Sequence, residues 1–131
     1  MNLLLDTQAI LWWLTESSRL GLRARALIAD PGNAAWVSAA SVWEIAIKTS
    51  TGKLEMKGLP DERLPHEFAR HRFRELPVTI THALAVGRLP RHHADPFDRL
   101  LVVQARLEGL TLVTSDSVLS AYGVPIERAD V

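Results

Sequence analysis

Leu3-Leu4-Leu5-Asp6-Thr7-Gln8-Ala9-Ile10 sets three apolar residues directly before an acid and a hydroxyl residue. An apolar run this short is ambiguous between strand and helix by periodicity alone. The next ten residues decide. Ala9, Ile10, Trp13 and Leu14 fall at helical spacing within residues 7–16, and Asp6 and Thr7 stand where a helix cap belongs. A buried strand ending near Asp6 and running into a helix is the simplest parse.

Outward from this unit the alternation repeats. Residues 20–29 read as a helix stopped by the turn Asp30-Pro31-Gly32-Asn33, and residues 34–38 as a strand. Ser41-Val42-Trp43-Glu44 has the Ser-x-x-Glu spacing of a capping box, which predicts a helix from Ser41 to about Thr49. Residues 58–65 predict a loop, 65–74 a polar helix with Phe68 and Phe73 inward, 76–80 a strand, and 81–86 a short helix. Asp95-Pro96 joins an Asp cap to a proline one place inside the helix, which then runs to Gly109, a natural stop. Residues 110–114 predict a strand, Ser115-Asp116 the entry to a short helix ending at Tyr122, and residues 123–126 the start of an edge strand. Strands alternating with helices predict an α/β fold, a central mainly parallel sheet of four to five strands between two helical layers.

Length and composition agree with one domain spanning residues 1–131, and 47% hydrophobic residues suffice for one proper core. Lys+Arg and Asp+Glu stand at 15 each, so basic charge overall offers no route to nucleic acid. Any RNA here needs local basic patches or metal ions. The chain has no cysteine, which excludes a disulfide scaffold and thiolate metal sites and fits a reducing cytoplasm. No apolar stretch approaches the roughly 18 residues of a membrane span, so a cytoplasmic protein is expected.

In sheets of this kind, ligands sit beyond the carboxyl ends of the strands. Asp6, Glu44, Asp98 and Asp116 all occupy such positions, at a strand end or in the turn or helix start that succeeds it. Clustered carboxylates repel unless a cation compensates, and oxygen-only donors favour Mg²⁺ or Mn²⁺. Held there, a metal lowers the pKa of a bound water and bridges phosphate oxygens. Each acid also has a plain role at a helix start: Asp6 and Asp116 as caps, Glu44 as partner of Ser41 or Lys48, Asp98 in a favourable helix dipole. Their conjunction favours the metal site.

The segments Leu3 through Ile10, Ser38-Ala39-Ala40-Ser41-Val42-Trp43-Glu44-Ile45-Ala46-Ile47-Lys48, Asp95-Pro96-Phe97-Asp98-Arg99-Leu100-Leu101-Val102-Val103-Gln104-Ala105 and Leu112-Val113-Thr114-Ser115-Asp116 together resemble the signature blocks of the PIN-domain family. They keep family order over essentially the whole chain and are most similar to the VapC-type toxins of type II toxin–antitoxin systems. The resemblance implies a PIN-like three-layer α/β/α sandwich and an acidic pocket for Mg²⁺ or Mn²⁺. It implies an endoribonuclease, a small cognate antitoxin and a homodimer. Asp6, Glu44, Asp98 and Asp116 match the family's acids, and Thr7, Thr114 and Ser115 its small hydroxyl positions. Asp95 is either a fifth acid at the rim or the helix cap, and the cap is preferred.

Among the remaining features, Arg88, Arg91, His92 and His93 with Arg99 form a basic cluster entering the Asp98 helix, of which Arg91, His92, His93 and Arg99 are placed for RNA phosphate or acidic antitoxin residues. Arg70, His71, Arg72 and Arg74 form a second. Two adjacent histidines without further ligands do not make a zinc site. Trp12 and Trp13 must point differently on one helix, so one of them is expected at a partner surface. Two other readings stand beside the nuclease. An aspartyl-nucleophile phosphohydrolase on Asp6 wants a second acid two places on, where Gln8 stands. A non-catalytic PIN-like binding module would use the acids only as caps.

Overall fold

The computed structural model describes residues 1–131. Five strands form one sheet: β1 (Asn2–Leu5), β2 (Ala34–Ser38), β3 (Arg74–Leu76), β4 (Thr111–Thr114) and β5 (Ile126–Arg128). Their order is β3-β2-β1-β4-β5 with every pairing parallel. β1 is central, and that explains its composition: a strand covered on both faces is apolar at every position rather than at alternate ones. Leu3 and Leu5 pack on one face with Ile10, Ile28, Val37 and Ile45, while Leu4 packs on the other with Leu101, Val102 and Leu112.

The helices sort by those two faces. α1 (Thr7–Leu14), α2 (Leu22–Ala29), α3 (Ala39–Ser50) and α4 (Leu64–Arg70) contribute to the first cluster, and α5 (Ile80–Val86) and α6 (Pro96–Glu108) to the second. The three-layer α/β/α sandwich is therefore as expected, with β5 at a sheet edge. Asp6 caps α1 by accepting from the Ala9 amide at 2.8 Å, and Asp95 caps α6 through the Phe97 and Asp98 amides. Gly109 closes α6 at φ 67°, a left-handed conformation that glycine adopts without a Cβ penalty. No helix is long and apolar enough to cross a membrane.

Several boundaries differ from the sequence expectation: the helix expected over residues 65–74 stops at Arg70, Arg74 having joined β3, and β5 starts at Ile126 rather than at 123. α3 begins at Ala39, two residues before Ser41, because Ser38 is its cap and accepts from the Ala40 amide at 3.0 Å. Ser41 is buried with no hydrogen-bond partner, so there is no capping box with Glu44. The third strand is Arg74–Leu76 rather than residues 76–80, since its register is fixed by Trp36–Ser38 of β2. Pro77 then ends it, and Thr79 caps α5. Of the tryptophans, Trp43 is the exposed one, edge-on to Phe97 at 5.4 Å, whereas Trp12 and Trp13 are half-buried against the core.

Candidate active site

Parallel strands deliver their carboxyl ends to one edge of the sheet, and the four acids meet there. Asp6 comes directly after β1, Asp116 shortly after β4, Glu44 sits on the second turn of α3, and Asp98 on the first turn of α6. Together with Thr7, Lys48, Lys53, Asp95 and Ser115 they line one pocket. Capping and clustering are not rival roles here. Asp6 accepts from Ala9, Asp116 Oδ1 from Val118 at 3.0 Å and Asp95 Oδ1 from two amides, while all three still line the pocket.

The hydroxyl residues hold these acids. Thr7 Oγ1 donates to Glu44 Oε1 at 2.6 Å, and buried Thr114 Oγ1 accepts from the Asp116 amide at 3.0 Å. Ser115 lies in the lining. Freed from a capping box, Glu44 is buried with its other oxygen on Lys48 Nζ at 2.7 Å.

Charge in the pocket is poorly compensated. Burial lifts the Asp6 carboxyl to about 6 against the pull of Thr114 and Ala9, and the charges of Glu44 and Asp116 add to the rise. Burial lifts Asp98 to about 7, helped by Asp95, Asp6 and Glu44. The hydrogen bond to Glu44 holds the Lys48 ammonium above its usual range, with Glu44, Asp95 and Asp98 adding to it. Lys48 and Lys53 are pocket residues without a distinctive sequence signal, because a lysine one turn after a glutamate looks like a solvated helix pair.

The basic cluster divides. Arg91 and His92 are exposed on the loop before α6. His93 turns inward: its Nε2 lies 2.6 Å from Asp116 Oδ2 and 3.6 Å from Asp98 Oδ2. Arg99 is occupied within its own chain. Its guanidinium donates to the carbonyls of Val86, Leu89, Pro90 and His93 and to the Tyr122 hydroxyl, which ties down the loop carrying His93. Arg99→Ala will therefore lower the urea midpoint, by about 1–2 kcal/mol in unfolding free energy, because several part-buried carbonyls lose their donor. An unchanged midpoint would mean that water replaces the guanidinium without loss. Arg70, His71, Arg72 and Arg74 line a separate pocket with Asp30 and Asn33, beside the starts of β2 and β3 and hence at the far end of the sheet from the acids.

Comparison with known proteins gives a consistent answer. The family model for the PIN domain matches residues 3–125. Ribonuclease VapC22 of Mycobacterium tuberculosis is 30% identical over 125 residues, which cover 95% of this chain and 94% of the relative. VapBC2 from Rickettsia felis, solved bound to a promoter DNA fragment, superposes with TM-score 0.73 at 16% identity, over 99% of this chain and 100% of that one. FitAcB from Neisseria gonorrhoeae superposes at 0.63 with 21% identity, covering 95% of each. At these identities the structural likeness is one of fold.

Proposed function

The chain belongs to the PIN-domain family, and from that membership and its pocket of buried acids we propose that it is a metal-dependent endoribonuclease, the toxin of a toxin–antitoxin pair. The observation that carries this is electrostatic. Asp6 and Asp98 are pushed up to about 6 and about 7 inside a pocket where Lys48 alone donates an ammonium to the four acids. Such a donor set, all carboxylate oxygen and short of positive charge, fits Mg²⁺ or Mn²⁺. Asp6, Glu44, Asp98 and Asp116 would hold the cation, and Asp95 remains the cap of α6. When bound, the cation supplies Lewis-acid polarisation of a phosphodiester and a water of lowered pKa.

The chain's own groups prepare for that. Thr7 and Lys48 fix both oxygens of Glu44, so that carboxylate needs little reorganisation. Thr114, through the Asp116 amide, sets the turn that presents Asp116. Lys53 at the pocket and the exposed Arg91 and His92 on the loop before α6 can position the RNA backbone without reading its sequence. An apolar groove lined by Val42, Leu64, Phe68 and Phe73 suits a segment of the antitoxin. The exposed i,i+4 pairs Trp43/Ile47 and Ile80/Leu84, on two helices that both pack on α6, suit a second copy of the chain in a homodimer.

The test is cleavage of a mixed cellular RNA pool by purified protein with Mg²⁺, with Mn²⁺ and with EDTA, alongside Asp6→Asn. Metal-dependent cutting that disappears in the variant is expected, and mapped ends would begin to name the target. Cutting that survives EDTA, or is equal in both proteins, would remove the metal mechanism.

A further inference from the structure

His93 presents a choice of roles. Its Nε2 and one oxygen each of Asp98 and Asp116 all lie within 4.8 Å of one another, a spacing that a metal ion would accept. The other ring nitrogen decides between them. Nδ1 accepts the backbone N–H of Asp95 at 3.0 Å, two residues along the chain. A nitrogen that accepts carries no hydrogen, so the ring hydrogen resides on Nε2. Metal-ligating histidines show the reverse arrangement, in which the distal nitrogen donates outward and the ligating nitrogen keeps its lone pair.

We infer that His93 is a positioning residue, a hydrogen-bond donor held by the Asp95 amide that orients Asp116, and not a ligand of the cation. This rests on the nuclease reading above and refines it. With Nε2–H on Oδ2 at 2.6 Å and the Val118 amide on Oδ1 at 3.0 Å, both oxygens of Asp116 are pinned. Each oxygen keeps a second lone pair for a cation. Asp98, at 3.6 Å from Nε2, lies beyond hydrogen-bond range and stays available as an oxygen donor. The ring is in turn held at both ends: Asp95 fixes Nδ1, and the loop that carries His93 is tied by Arg99 and by the His93 amide donating to the Tyr122 hydroxyl at 3.0 Å. The protein uses the same device elsewhere. His82 accepts the Thr79 amide on Nδ1 and faces Glu108 with Nε2 at 2.8 Å, at the start of α5 and with no cluster of acids around it.

The experiment has two readouts that do not depend on turnover. First, ¹⁵N NMR of the histidine side chains reports which ring nitrogen is protonated, in metal-free protein and after addition of Mg²⁺. His93 is expected as the Nε2–H tautomer in both. Nδ1–H in the metal-free protein, or loss of the Nε2 hydrogen as Mg²⁺ binds, would make His93 a ligand and overturn the inference. Second, Mn²⁺ affinity is measured by calorimetry for wild type, His93→Ala and His93→Gln. Removing an outer-shell partner should weaken binding by about 10–100-fold in His93→Ala. His93→Gln keeps an N–H near the Nε2 position and should recover most of that loss. If glutamine is as weak as alanine, the nitrogen lone pair was what mattered and the inference fails. If wild type itself binds no Mn²⁺, the metal reading falls instead, and the tautomer of the metal-free ring still decides whether His93 is the donor described.

Discussion

Asp98→Asn will abolish metal-dependent RNA cleavage and at the same time make the metal-free protein harder to melt. The first effect comes from removing one oxygen donor and one negative charge from a site built to hold a cation. Metal polarisation of a phosphoryl oxygen is worth several kcal/mol, so a loss of about 10³-fold or more in cleavage rate is expected. The second comes from the raised carboxyl. Asp98 is held near about 7 in the folded protein against 3.8 for the free side chain, mainly by burial and then by Asp95, Asp6 and Glu44. A carboxyl with a raised folded pKa stabilises the fold while protonated and ceases to do so as pH rises through about 7. Above that value, wild type carries a charge its surroundings oppose. Asparagine keeps the shape and loses the charge. Water at the pocket mouth screens part of the repulsion, and the helix start favours an acid, so the net gain is about 1–2 kcal/mol, or ~3–6 °C in melting temperature. The gain should be visible in EDTA at about pH 8 and vanish only below about pH 4, where the carboxyl is neutral in the folded and the unfolded chain alike. A variant that melts lower than wild type at both pH values would show Asp98 to be a structural acid, and the site reading would fail with it.

The sequence reveals where the acids are but not what surrounds them. The scaffold was readable from short-range patterns. An apolar triplet ending at Asp6, a proline one place inside α6 and a glycine just after it each have a local physical cause, and each lies where that cause puts it. Locally ambiguous signals were settled by contacts distant in the chain. Ser38 and Ser41 can both cap a helix. Ser38 does so because it ends a strand and its hydroxyl also donates to buried Gln104 of α6, 66 positions away. Glu44 thereby became a pocket residue held by Thr7, a contact spanning 37 positions. Arg99 and His93 take their places for the same reason. In the linear sequence both belong to one basic cluster. The helix start turns Arg99 onto the carbonyls of its own loop and His93 onto Asp116, and neither partner is foreshadowed by spacing.

Mn²⁺ binding should be strongly coupled to protons, and the coupling should have a defined window. At about pH 8 both Asp6 and Asp98 are ionised and a cation meets a ready pocket. As pH falls through about 7 and then about 6, first Asp98 and then Asp6 take up protons, and binding must expel them. Each expelled proton makes affinity fall by up to tenfold per pH unit, so the combined slope approaches ~100-fold per unit below about pH 6. Between about pH 7 and 8 the affinity should level off. The two acids belong to one interacting set, since Asp6 raises Asp98 while Glu44 and Asp116 raise Asp6, so the steps are those of the cluster rather than of single residues. Stability responds with opposite signs in the two states. Without metal, the protein becomes less stable as pH rises from about 4 to 7, because the unfolded chain releases protons from Asp6 and Asp98 near 4 that the folded pocket retains until about 6 and about 7. With saturating metal that loss is offset by binding, which stabilises the fold by RT ln(1 + [L]/Kd) and grows stronger with pH. The two stability curves should therefore diverge upward through this window. Calorimetric titrations in buffers of different ionisation enthalpy count the protons released directly. An affinity that is flat from about pH 5 to 8, with no buffer dependence, would mean that the cation binds elsewhere and that the acids at the strand ends serve only their helices.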